Sequence, residues 1–107
     1  MSELTQKRCV PCEGGILSLG KSDVERLLAQ VAGWRLDGKR ITKEFKFKNF
    51  VAAMKFVNRV ANLAEGEGHH PDIHIHYNRV RFDIWTHAID GLSENDFILA
   101  AKIDALK

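Results

Sequence analysis

All five histidines of this 107-residue chain, His69, His70, His74, His76 and His87, fall between Ala64 and Asp96. Imidazole titrates near pH ~6.5, so histidine can give and take a proton at neutral pH, as general acid/base catalysis requires. Neutral imidazole is also a common ligand for zinc, copper and iron, and three suffice for a catalytic zinc. Neighbours on an extended chain point to opposite sides, which weakens His69 and His70 as joint metal ligands. Covalent catalysis has little support, because no serine or cysteine stands in a nucleophile motif. Gly66 and Gly68 lead into His69-His70-Pro71, a junction where backbone can approach a ligand closely. His74 and His76 alternate with Ile73, Ile75 and Tyr77 and read as wet-face strand residues with no part in chemistry.

The elements that must position these side chains follow from periodicity and breakers. Ser22-Asp23-Val24-Glu25 is a capping box, so a helix is expected from Ser22, with Val24, Leu27, Leu28 and Val31 inward and Gly33 as its stop. Trp34-Arg35-Leu36 enters a hairpin at Asp37-Gly38 and returns as Arg40 to Lys48, where Lys43 interrupts an inner face of Ile41, Phe45 and Phe47. Asn49 caps a second helix with a stripe of Phe50, Ala53, Met54, Val57, Val60, Ala61 and Ala64, ended by Gly66 and Gly68. Two further strands, Ile73 to Tyr77 and Val80 to Trp85, flank a turn at Asn78-Arg79. That turn would pair His74 with Asp83 and His70 with His87, and Pro71, which cannot donate to the ladder, is its weak point. Ser93 and Asp96 cap a last helix carrying Leu99, Ile103 and Leu106.

The order helix, strand, strand, helix, strand, strand, helix predicts an α+β fold, a four-stranded antiparallel sheet with three helices on one face. One domain is expected over residues 22–107, preceded by a loosely held arm over 1–21. A hydrophobic content of 45% with 28% charged residues suits a soluble globular protein. No apolar run approaches the ~20 residues of a membrane span and the start lacks the apolar middle of a signal peptide, so the expected location is the cytoplasm. Sixteen basic and 14 acidic residues are interspersed, leaving no basic footprint for nucleic acid. Cys9 and Cys12 are too few for a disulfide framework and lack the second pair of a zinc site, so they read as structural or incidental.

The run EGEGHHPDIHIHYNRVRFDIWTHAIDGLSENDFILAAKID, with the upstream Gly33-Trp34 pair and KEFKFKNF, resembles the signature region of the pterin-4a-carbinolamine dehydratases, also called 4a-hydroxytetrahydrobiopterin dehydratases. The resemblance extends from Ser22 to the C-terminus, and the Cys9 to Gly15 stretch is similar to one in bacterial members. It implies loss of water from a 4a-hydroxytetrahydropterin to give the quinonoid dihydropterin, in recycling of a tetrahydrobiopterin-type cofactor for aromatic amino-acid hydroxylases. It implies no metal and no cofactor of the enzyme's own. It puts the catalytic histidines at His69, His70 and His87 and the pterin contacts at Pro71, Thr86, Ala88 and Ile89, with Glu65 at a matching acidic position. Asp96 matches another acidic position, although helix capping explains it equally well. Gly68 stands where some members carry an acidic residue and Asn95 where some carry arginine, departures expected to alter affinity or pH response and leave the chemistry. A homodimer or homotetramer is implied. Two alternatives remain: a non-catalytic dimerisation or assembly scaffold of the same fold, as animal members also are for a transcription factor, and a histidine metal-binding module. Retention of all three catalytic-type histidines favours the enzyme over the scaffold.

Overall fold

The computed structural model describes residues 3–9 and 18–107, so Cys12 and the Gly14-Gly15 pair lie outside the described residues. Among these residues, helices α1 (Lys21–Leu28), α2 (Phe50–Glu67) and α3 (Glu94–Leu106) lie on one face of a sheet made of β1 (Arg35–Asp37), β2 (Arg40–Lys46), β3 (Asp72–His76) and β4 (Arg79–Ile84). The strands pair antiparallel in the spatial order β1-β2-β4-β3, which is the α+β layer pair that the alternation and caps predict. No helix of the described residues is long and apolar enough to cross a membrane.

Local chemistry sets the helix ends. Asn49 caps α2 by accepting from the Ala52 N–H at 2.9 Å, and Ser93 with Asp96 forms the expected capping box of α3. The box expected at Ser22 is not used. An extended Gly20 precedes α1 with no side-chain cap bond, and its carbonyl takes the Val24 N–H at 3.0 Å, so the helix begins one residue early. Gly66 stays inside α2, while Gly68 turns left-handed with φ 67° and ends it.

Both hairpins turn one residue away from expectation. In the first, Asp37 pairs with Arg40 and Gly38 opens the turn at φ 62°. In the second, the turn is Tyr77-Asn78 with Tyr77 at φ 54°, so His74 faces Arg81 where Asp83 was expected, and Asp72 faces Asp83. Asn78 supplies the reason: its Nδ2 donates to the Phe47 carbonyl at 2.9 Å and its own carbonyl accepts from the Phe47 N–H at 2.8 Å. These bonds carry the β2·β4 pairing one residue past Lys46 and Arg79, so Arg79 stays in β4 and the turn moves to Tyr77-Asn78. A slip of two leaves each side chain on its expected face, because the strand period is two.

Between the layers, Ile41, Phe45, Val80, Phe82 and Ile84 meet Ala53, Phe56, Val57 and Val60, and the rings of Phe45, Phe56 and Phe82 lie 5.2–6.0 Å apart between centroids. Phe56, absent from the expected stripe, is the inward aromatic of α2, while Phe50 is exposed and stacks on Tyr77. α3 departs further from expectation. Instead of one stripe, Asn95 to Ala101 are all buried, and α1, α2 and a 3₁₀ turn at Glu3–Gln6 pack around it. Apolar residues all round a helix mark a buried one. The arm is therefore held at Leu4, which is 1% exposed. Lys43 keeps its inward place by reaching Asp104 of α3 at 2.9 Å and the Ala32 carbonyl at 3.0 Å, beside the Trp34 Nε1 that also bonds Asp104.

Candidate active site

At the end of α2, the left-handed Gly68 lets the His69 N–H return to the Ala64 carbonyl and the Gly68 N–H to that of Glu65, each at 3.3 Å. This closure turns the His69 ring inward, leaving the residue 6% exposed, and its Nε2 lies 2.6 Å from Oδ1 of Asp96. Asp96 is completely buried at the start of α3, and its Oδ2 accepts from the Ser93 N–H at 2.8 Å and the Thr86 hydroxyl at 2.9 Å. A hydroxyl has one hydrogen to give, so Thr86, spending its own on Asp96, accepts from the Ser93 hydroxyl at 2.8 Å. A buried carboxylate is tolerable only with such donors, and here they come from α2's end, β4's exit and α3's first turn. Asp96 thus joins three separate parts of the chain.

Thr86 is fixed further by exchange of backbone bonds with Gly91, which pinches the 3₁₀ turn His87–Ile89 outward. Its backbone is extended, φ −103° and ψ 102°, so its hydroxyl points in while Trp85 and His87 project to the other side. The His87 ring is exposed and rests 4.1 Å from the Trp85 ring, centroid to centroid. His70, next to His69, is also exposed, with Nε2 2.9 Å from Oε1 of the exposed Glu65. Pro71 and Ile89 are half-buried and Ala88 is exposed.

His70 and His87 are not cross-strand partners as the sequence reading expects. β3 begins at Asp72 and β4 ends at Ile84, so both lie beyond the ladder. Asp96 brings their surroundings together instead, since His70 follows its ligand His69 and His87 follows its ligand Thr86. The capping-box spacing shows Asp96 in the sequence, but a cap uses one carboxylate oxygen, and nothing in the spacing reveals that the other holds a histidine. His74 lies on the helix-free face, 3.1 Å from Asp83, a buried carboxylate that also takes the Thr42 hydroxyl at 2.6 Å. Among the described residues no group of three His, Cys, Asp or Glu side chains is placed to hold a metal.

The model of the family described as pterin 4 alpha carbinolamine dehydratase matches residues 18–106. The chain belongs to this family. A provisionally named pterin-4-alpha-carbinolamine dehydratase of Halorhodospira halophila is 52% identical over 105 residues, covering 96% of each chain. One of the same name from Rubrobacter xylanophilus is 49% identical over 107 residues, covering 99% of this chain and all of the relative. Two solved structures of similar fold differ in the roles their names give. A transcriptional coactivator/pterin dehydratase from Brucella melitensis superposes with a TM-score of 0.79 at 37% identity, over 83% of this chain and 97% of that one. A pterin dehydratase-like protein described as a RuBisCO assembly factor in the alpha-carboxysome superposes with a TM-score of 0.61 at 30% identity, over 69% of this chain and 88% of that one.

Proposed function

We propose that this family member is a working dehydratase of the cytoplasm, converting 4a-hydroxytetrahydropterin to the quinonoid dihydropterin and water after an aromatic amino-acid hydroxylase has used the tetrahydropterin. The observation that carries the reading is the difference in burial among the three histidines: His69 is buried on the Asp96 carboxylate, while His70 and His87, each next in sequence to a residue bonded to Asp96, are exposed. The reaction needs a proton delivered to the 4a oxygen as the carbon–oxygen bond breaks, formation of the carbon–nitrogen double bond from the N5 electron pair, and removal of the N5 proton. His70 and His87 handle these two protons, and His69 holds the substrate side of the site in place. Pro71, Ala88 and Ile89 offer surface to the flat pteridine, with Thr86 beneath them and Glu65 at His70.

The protein works as a homo-oligomer in this reading. β3 is an edge strand, and Ile75, Tyr77, Phe50 and Val51 leave an exposed apolar corner beside it, a surface suited to a second copy.

The test generates 4a-hydroxytetrahydropterin and follows its disappearance at neutral pH with and without the protein. The expected result is an acceleration that His70→Ala and His87→Ala each reduce by about 100-fold or more without unfolding the chain. Full rates in both folded variants would refute the assignment. No acceleration by the wild type would favour the assembly-scaffold reading, which gains support from the carboxysome relative's description as an assembly factor.

A further inference from the structure

Trp85 sits where β4 gives way to the His87–Ile89 turn, packed against the edge of the core. Its ring centroid lies 4.1 Å from that of His87, with the two planes inclined at 47°. Exposed imidazoles ordinarily sample several rotamers, and a large aromatic face pressed against one side removes some of them. The second observation concerns the other end of the indole. Trp85 Nε1 is buried and has no hydrogen-bond partner among the described residues. Buried indole N–H groups usually find an acceptor, and an unanswered one costs stability. No described protein group takes the N–H, and the contact that Trp85 makes with His87 is through the flat ring. Phenylalanine could supply such a face without an unanswered donor, whereas leucine could not.

We propose that Trp85 is a positioning residue for His87: its indole face fixes the imidazole in the orientation that meets the substrate, and its N–H takes no part. The inference rests on the acid/base reading of His87 given above. Thr86 makes the arrangement rigid, because its hydroxyl is anchored on Asp96 and its extended backbone sends both rings to one side.

The test measures kcat and KM for 4a-hydroxytetrahydropterin dehydration in wild type, W85F and W85L, and repeats W85L in an H87A background, with thermal melts to confirm folding. W85F is expected to keep kcat within about twofold, and W85L to lose about tenfold in kcat with KM nearly unchanged. If Trp85 acts through His87, W85L costs nothing further once His87 is absent, which separates positioning from general support of the fold. In parallel, the His87 ring protons should show an upfield ring-current shift by NMR that survives in W85F and vanishes in W85L. The inference is overturned if W85L matches wild type, if W85F falls as far as W85L, or if the loss is the same with and without His87. A wild type that does not accelerate dehydration removes the dehydratase reading and this inference together, whereas an active wild type with an equally active W85L removes only the role of Trp85.

Discussion

Asp96→Asn asks whether one carboxylate holds the site together. The native side chain accepts at 2.6 Å from His69, 2.9 Å from Thr86 and 2.8 Å from Ser93. Asparagine keeps the shape but replaces one acceptor oxygen by an NH₂ donor. The lower-cost arrangement leaves the amide oxygen with Ser93 and Thr86, so the NH₂ confronts Nε2 of His69. That nitrogen must then accept, and the ring moves to its Nδ1–H tautomer. Hydrogen bonds to a charged group contribute about 1.5–3 kcal/mol against about 0.5–1.5 for neutral pairs, so neutralising all three lowers stability by about 3 kcal/mol. Such a loss is a large share of the 5–15 kcal/mol typical of a domain, yet leaves a folded protein to assay. Alanine would leave all three donors unanswered and risk unfolding, which is why asparagine is the informative change. Urea denaturation reads the stability, nitrogen NMR of His69 reads the tautomer, and the dehydration rate is expected to fall about 10- to 100-fold. A stability loss under about 1 kcal/mol, or an unchanged tautomer with full activity, would refute the claim that Asp96 organises the site.

Three further outcomes follow from other contacts. Burial alone would raise the Glu67 carboxyl, but the Cys9 backbone N–H and the bond and charge of Lys102 outweigh it and hold the group below its ordinary value. A carboxyl depressed in the folded state stabilises above its unfolded pKa of about 4.3 and loses that contribution as pH falls through the folded value. The stability gap between wild type and Glu67→Gln should thus be widest near neutrality and narrow in acid, as urea melts at several pH values would record. Burial, then the charge of Glu67, pushes the Cys9 thiol up to about 12. In a Cys12→Ser background a thiol reagent at pH 8 should react with Cys9 only after denaturant is added; rapid labelling of the folded protein would contradict this. His74→Ala should leave the dehydration rate unchanged and cost under about 1 kcal/mol, because Asp83 keeps Thr42 and its arginine neighbours.

The layer order and the caps at Asn49 and Ser93 were legible because period-2 and period-3.6 patterns and side-chain caps are local signals. What failed was chemistry carried by distant partners. The turn at Tyr77-Asn78 depends on a bond from Asn78 to Phe47, thirty-one residues away, and no short-range turn rule contains it. Burial all round α3 from Asn95 to Ala101 depends on what surrounds it, so a stripe of Leu99, Ile103 and Leu106 could not reveal it. Likewise Lys43 looks misplaced in β2 until Asp104 is known to stand opposite. Beside the proposed site, the glycine that ends α2 was legible, since Gly68 is the left-handed residue there. The join of His69 to Asp96 needed the fold, because Asp96 serves as a cap in the sequence and as a histidine ligand only in space.

The central place of α3 also bears on how the protein is made. Of the described secondary-structure elements, α3, whose residues Asn95 to Ala101 are buried all round, is the last to leave the ribosome. Until it emerges, α1 and α2 lack the helix they pack around, and His69 lacks the carboxylate that holds it. Neither the full core nor the site can therefore form before α3 is available, and both should be completed in one step as it docks. The helix faces left exposed in that interval are the surfaces a chaperone would shield.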